Sequence, residues 1–337
     1  MEGLLTVASV PGARATAWEQ FAGPRDIWVA EDANAVVGSV SLAQRHTRLD
    51  GCLTRWGYLG ELRVSPDARR RGVALALTRA GVAAERDAQS CYTALATLGG
   101  NRAMEALIDR CRDLPQAVPF ARMKLIQWLT LRAPLPRPAV ATRPARAADI
   151  PDMHRLLARI WDEHALGPAL DLDGFAAEWG HDQSLSLEDA VVAERTGSIV
   201  GCGALWDQRA LRREVVLRYR FPLSAVVRGI RWYAAWRGGP TLPPTGQPLP
   251  LAAIRFFGAT DLAAAVAVRD ALLGMARRRG VLVVMLGLDA RDPLAQVARG
   301  YWHVTLPATL WVGQATRRTP DLSPFLGRPA YVDFSLV

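Results

Sequence analysis

An apolar run, a polar turn and a second apolar run recur twice in the chain. Val29-Ala30-Glu31 leads through four residues into Val36-Val37-Gly38-Ser39-Val40-Ser41-Leu42, and Val192-Ala193-Glu194 leads through four into Ile199-Val200-Gly201-Cys202-Gly203-Ala204-Leu205. Each reads as a β-hairpin, and the glutamate-to-glycine interval is seven residues in both. The elements that follow agree as well. In the first half the pattern predicts a strand over 58–64, a helix over 72–88, a strand over 91–97 and a helix over 101–111. In the second half it predicts a strand over 251–257, a helix over 261–279, a strand over 281–288 and a short helix over 292–299. The second half opens with a strand at 141–143 and a helix from Asp149 to about His164. Asp149 serves there as N-cap, Pro151 sits just inside, and Ile150, Met153, Leu156, Leu157 and Ile160 form the apolar stripe. Such an order predicts an α/β protein, an α+β mixed sheet covered by helices, and its repetition predicts an internal repeat. Between the first strands only residues 16–21 look helical. The last residues, 330–337, read as a strand.

The run Ala133-Pro134-Leu135-Pro136-Arg137-Pro138 cannot continue a helix or a central strand. It divides the chain into a first domain, 1–133, a linker, 134–140, and a second domain, 141–337, which suits a length of 337 residues. Residues 238–250, rich in Pro and Gly, read as a long loop. With 50% hydrophobic and 22% charged residues the chain is globular rather than disordered or fibrous. The apolar run 281–288 is far too short for a membrane span, and MEGLLTVASV has no basic n-region. A cytoplasmic protein with no membrane partner is expected. Cys52, Cys91, Cys111 and Cys202 show no CxxC, and His46, His154, His164, His181 and His303 show no HExxH, so no metal is expected.

The net charge is +9, carried almost entirely by arginine, with Lys124 the one lysine. The arginines are spread along the chain without a dense basic stripe interleaved with aromatics. A small anionic molecule therefore accounts for the charge better than nucleic acid. One cluster, Tyr219, Phe221, Trp232, Tyr233 and Trp236 among Arg220, Arg228, Arg231 and Arg237, reads first as an interface or core helix with snorkelling arginines. Its second reading is a lid or acceptor wall between the halves.

The chemistry concentrates after the strand at 58–64. Pro66 removes a ladder donor, and the chain turns through Arg69, Arg70, Arg71 and Gly72 into a helix with Val73, Leu77, Ala80 and Ala84 on one face. The first N–H groups of a helix lack intrahelical partners and carry the positive end of its dipole, so a phosphate placed there receives several hydrogen bonds. Gly72 has no Cβ to obstruct the approach, and three arginines beside the same turn want an anion to offset them. Neither GxxxxGK[ST] nor GxGxxG is present. The alternative is a solvated arginine run.

This run resembles the signature of the GCN5-related N-acetyltransferase (GNAT) superfamily, a strand L-x-V-x-P followed by R/Q-x-x-G-x-G/A. Here Leu62-Arg63-Val64-Ser65-Pro66 and Arg69-x-x-Gly72-x-Ala74 hold those positions, and the resemblance covers about residues 28–112. It implies that the backbone of Leu62, Arg63 and Val64 binds the pantetheine of acetyl-CoA. It implies further that Arg69, Arg70, Arg71, Gly72, Val73 and Ala74 bind the pyrophosphate, and that Asn101 is the asparagine opening the next helix, where a plain N-cap is the other reading. Glu61 takes the place of a catalytic glutamate, or alternatively pairs with an arginine such as Arg63. The tyrosine that often protonates the leaving thiolate is replaced by Ile108. Tyr58 and Tyr92 are near in sequence but unmatched to that role.

The second half looks like another GNAT fold with its turn stripped. Gly258-Ala259-Thr260-Asp261 carries no arginine, and Thr260 or Asp261 can fill the helix start with its own oxygen. The expectation is two tandem folds, with the second a degenerate copy that does not bind CoA. The first would transfer the acetyl group of acetyl-CoA directly to an amine of a small molecule or peptide. The alternative is an acetyl-CoA sensor or regulatory protein without turnover. If the C-terminal segment reaches the first cleft, Asp333 or the terminal carboxylate is a further candidate base.

Overall fold

The structure, a computed structural model, describes residues 5–11, 25–87, 91–111, 114, 116–134, 140–179, 185–314 and 319–336. The helix expected over 16–21 lies outside them, as does His181. The first half contains β1 (Leu5–Pro11), β2 (Arg25–Asp32), β3 (Ala35–Leu49), β4 (Cys52–Val64), α1 (Val73–Asp87), β5 (Tyr92–Leu98), α2 (Arg102–Arg110) and β6 (Val118–Leu129). The second contains β7 (Ala141–Pro144), α3 (Ile150–Asp162), α4 (Leu172–Ala177), β8 (Ala190–Arg195), β9 (Ser198–Trp206), β10 (Arg212–Tyr219), α5 (Leu223–Trp236), β11 (Leu251–Ala259), α6 (Leu262–Arg278), β12 (Val283–Asp289) and β13 (His303–Gly313).

Both hairpins form, with two-residue turns rather than the four-residue turns read from the sequence. Ala33 and Asn34 have φ of 48° and 67°, and Thr196 and Gly197 have 49° and 78°. Two left-handed residues match the twist of the flanking strands, so pairing continues closer to the turn. The short helix expected over 292–299 is a 3-10 helix, Pro293–Ala298.

Eleven strands form one mixed sheet, β2-β3-β4-β5-β13-β6-β12-β11-β9-β8-β7, and β1 pairs with β10 in a separate ribbon. The large sheet runs across the Pro-rich stretch. β6, which precedes it, lies between β13 and β12, while β13 lies between β5 and β6. Each half therefore places one strand beside the other half's splayed pair. Alternate residues of β3, β4 and β6 face opposite sides. Val40, Leu42 and Leu59 pack with Leu77 of α1, whereas Ala43, Tyr58, Met123 and Leu125 belong to a cluster on the other face. Ile126 and Trp128 join the cluster around α6, which places α1 and α6 on one face of the sheet.

The opposite face of the first half is covered by chain from the second half. Ala165, Leu166, Phe325, Ala330, Val332 and Phe334 pack there on Tyr58, Met123 and Leu310. The segment expected as a C-terminal strand instead makes one bridge at Ala330 and ends in a 3-10 helix, Phe334–Leu336. Asp333 accepts from the Ser335 amide at 3.0 Å and turns the chain. The Ala330 amide donates to buried Asp289 at 2.7 Å.

The aromatic cluster divides on folding. Tyr219 and Tyr233 pack on a core of Val227, Ala234 and Leu249, and Arg231 donates to the carbonyls of Leu242 and Pro243. Phe221, Trp232 and Trp236 are exposed, so α5 is not a core helix on that side.

Candidate active site

β4 determines the site. It pairs antiparallel with β3 along its length, but parallel with β5 only at Trp56–Tyr58 against Tyr92–Ala94. Beyond Tyr58 the two strands diverge, and β5 continues against β13. The opening is a cavity of about 790 Å³. Leu59, Gly60, Glu61 and Leu62 of β4 line it, with Thr78 and Val82 of α1, Leu95 and Ala96 of β5, and Asn101 and Ile108 at α2. A parallel strand that leaves its neighbour exposes backbone polar groups along the gap, and these need partners.

The departure is marked by a bulge. The register against β3 shifts between Ser39 and Ser41, and Glu61 has φ of 50°. Ser41 Oγ donates to the Gly60 carbonyl at 3.2 Å. The strand then passes Arg63 and Val64, enters a 3-10 turn at Pro66–Ala68, and reaches α1 through Arg70 at φ 63° and Gly72 at φ 84°. A Cβ on Gly72 would meet open space. Glycine is required there by the left-handed conformation, not by crowding.

Arg69, Arg70, Arg71 and Gly72 are exposed beside the start of α1, whose first turn carries no acidic residue. Arg71 reaches Asp32 at 2.8 Å. The residues expected to hold a pyrophosphate are thus consecutive at the start of α1 but do not line the cavity, whereas Leu62 does. Val73 packs with the α1 cluster, as does Leu62. Asn101 is both an N-cap and a wall residue: its Oδ1 accepts from the Met104 amide at 3.3 Å, and it lines the cavity. Tyr92 is directed elsewhere, donating to the Asp321 carbonyl.

Glu61 faces two guanidinium groups, Arg25 at 3.5 Å and Arg212 at 3.7 Å. Its partner is therefore not Arg63, which is exposed. Arg212 belongs to β10, so the second half reaches the rim of the first half's cleft through this strand rather than through the exposed aromatics of α5.

Sequence reading left Tyr58 without a role, and the fold gives it a position. It is 4% exposed, and its ring lies 2.9 Å from where a Cβ on Gly60 would stand. Burial pushes the phenol's pKa up, with the Arg45 charge and a hydrogen bond to the Ala96 backbone opposing. Gly60 and Ala96 both line the large cavity, so Tyr58 stands where β4 leaves β5.

The second half carries the same geometry with different contents. β11 pairs antiparallel with β9 and parallel with β12 only at Leu251–Ala253. Phe256 has φ of 54°, at the same offset from Leu251 as Glu61 has from Trp56. Here the splay is filled: Tyr331 to Ser335 lie in it, about 20 Å³ remain, and Phe334 occupies the space a Cβ on Gly287 would need. Asp261 caps α6, accepting from the Ala264 amide at 2.9 Å, and pairs with Arg195 at 2.8 Å. The Arg195 hydrogen bond, followed by that backbone bond, holds the Asp261 carboxyl below the usual range.

Among the described residues no group of His, Cys, Asp and Glu is placed to hold a metal ion, and no helix is long and apolar enough to cross a membrane.

Residues 6–113 match the model of the Acetyltransferase (GNAT) family. Two solved structures share the fold. The first is a fungal multi-domain β-N-acetylglucosaminidase described as having a GCN5-related glucosamine N-acetyltransferase region. It has 11% identity and a TM-score of 0.55, over 92% of this chain and 38% of that one. The second is Saccharomyces cerevisiae N-myristoyltransferase with bound myristoyl-CoA. It has 9% identity and a TM-score of 0.53, over 86% of this chain and 69% of that one. No curated protein matches the chain.

Proposed function

We propose that the first half binds acetyl-CoA and transfers its acetyl group to an amine, and that the second half is a degenerate copy of the same fold. The observation carrying this reading is the 790 Å³ cavity between β4 and β5, walled by Leu59 to Leu62 of β4 and by Thr78 and Val82 of α1, the helix that the arginine turn opens. The pyrophosphate is assigned to the turn Arg69 to Ala74 and the pantetheine to Leu62, Arg63 and Val64, with Asn101 on the facing wall. The matched family over residues 6–113 and the myristoyl-CoA-bound neighbour support acyl-CoA as the donor class.

In the proposed reaction the amine nitrogen attacks the thioester carbonyl carbon, the C–S bond breaks, and CoA leaves as the thiolate. Glu61 is the candidate acceptor of the amine proton, because it lines the cleft at the bulge. Tyr58 is not a donor to the thiolate: it packs on the face of β4 opposite α1, and burial, which raises its pKa, opposes release of its proton. Asp333 is not a candidate base, since it lines the cavity on the other face of the sheet and not this cleft. A binding-only reading draws on Ile108, which puts an apolar side chain in the cleft wall.

Calorimetric titration with acetyl-CoA tests the binding. One equivalent per chain is expected, and Arg71→Glu combined with Gly72→Asp should abolish it. Unchanged affinity in that variant removes the pyrophosphate assignment, and two equal sites remove the degenerate second copy. Thiol release with amines separates transfer from sensing.

A further inference from the structure

A second cavity, of about 250 Å³, lies on the far face of the first half, between β3–β4 and the second half. Tyr58 stands between it and the cleft described above: its neighbours Gly60 and Ala96 line that cleft, while Tyr58 itself lines this one. Arg45 and Trp56, paired across β3 and β4, form its sheet wall. The opposite wall is Glu178, Arg255 and Asp333.

Two arginines and two acids face this cavity. Arg255 lies 2.8 Å from Glu178 through Nη1 and 3.3 Å from Asp333 through Nε, and the Asp333 charge also acts on Arg45, though without a hydrogen bond. Arg45 lies over the Trp56 and Tyr58 rings, yet its Nε and Nη2 are buried without a hydrogen-bond partner. The Trp56 Nε1 is buried and unpartnered as well. Three N–H donors on two neighbouring side chains of one small cavity thus await an acceptor. A buried donor left unpaired costs about 1–3 kcal/mol, more when charged, so the cavity calls for an oxygen-bearing anion. Nε and Nη2 form the side edge of the guanidinium, which matches the two oxygens of a carboxylate.

We infer that this cavity holds the acyl acceptor, and that the acceptor is a small amine bearing a carboxylate, an amino acid in chemical class, with its carboxylate on the Arg45 edge and Trp56. This rests on the acyl-transfer reading of the neighbouring cleft. The volume suits a single amino acid rather than a folded protein.

Two measurements on the full chain test the inference. Amino acids such as glycine, phenylalanine and lysine are compared with methylamine, phenethylamine and cadaverine, their decarboxylated counterparts. Saturation-transfer NMR without acyl-CoA reads binding, and thiol release from acetyl-CoA reads turnover. Amino acids should bind, and should exceed their amines in kcat/KM by about 10–100-fold, the worth of one charge-assisted contact. Arg45→Gln should erase that preference while leaving the acetyl-CoA Kd near wild type. Arg45→Lys, which keeps the charge but not the fork, should restore part of it. Binding of no amino acid, equal rates with the amines, or a preference that survives Arg45→Gln overturns the inference. Failure of acetyl-CoA to bind the wild-type chain overturns the reading beneath it instead, and the NMR result stands apart from that outcome.

Discussion

Glu61 is held by its backbone as much as by its partners. A non-glycine residue at φ 50° costs about 1–3 kcal/mol, and the bulge it makes is what bends β4 away from β5. If Glu61 takes the amine proton, Glu61→Gln should lower kcat about 100-fold or more, with the acetyl-CoA Kd unchanged by calorimetry. A variant with full kcat would remove the assignment. Asp289 governs a different property. Burial opposes its ionisation, but hydrogen bonds from Arg291 and the Ala330 amide outweigh that and hold its carboxyl below the ordinary range. A depressed folded pKa means the stabilisation is fully present above the unfolded value of about 3.9 and is lost as pH falls through the folded one. Urea denaturation between pH 3 and 7 should therefore show a weaker acid loss in Asp289→Asn than in wild type. At neutral pH that variant should be less stable by about 1–3 kcal/mol. An unaltered pH dependence would contradict this.

At the scale of elements, two helices that follow splayed strands have opposite starts. α1 begins in an arginine turn without an acidic residue, whereas α6 is closed by Asp261 and Arg195. The two splays differ in the same sense, one open at about 790 Å³ and one reduced to about 20 Å³ by the C-terminal segment. Phe334 is the main filler, packed against Gly287. Phe334→Ala should cost about 3–5 kcal/mol in denaturant unfolding, as expected for emptying a buried aromatic site. The stoichiometry of acetyl-CoA should remain one, because Asp261 still occupies the α6 start. A second equivalent appearing in this variant would mean that the tail alone keeps the second half empty.

For the whole molecule, the placement of β6 and β13 couples the halves. With β6 between β12 and β13, and β13 between β5 and β6, neither half completes its sheet alone. Calorimetry should show a single cooperative unfolding transition, and chains ending at 133 or starting at 141 should not fold by themselves. Two separated transitions would show the halves to be independent. The hairpins, the helix starts at Asn101 and Asp261, and the arginine turn were legible in the sequence because each depends on neighbours a few residues away; Asp149 precedes its helix as expected, but its carboxylate accepts from Arg143 and the Arg146 amide instead of capping it. Periodicity, capping oxygens and glycine placement are local properties, so the candidate cofactor residues could be named before any fold. The strand positions of β6 and β13 were not legible, since pairing partners more than a hundred residues apart leave no periodic trace. The C-terminal segment read as a strand from its apolar residues, and only the gap between β11 and β12 turned Phe334 into a plug. Arg45 was one arginine among many in sequence. Its significance comes from burial beside Trp56 with Nε and Nη2 left without a hydrogen bond, which is a property of the assembled sheet and of the second half packed against it.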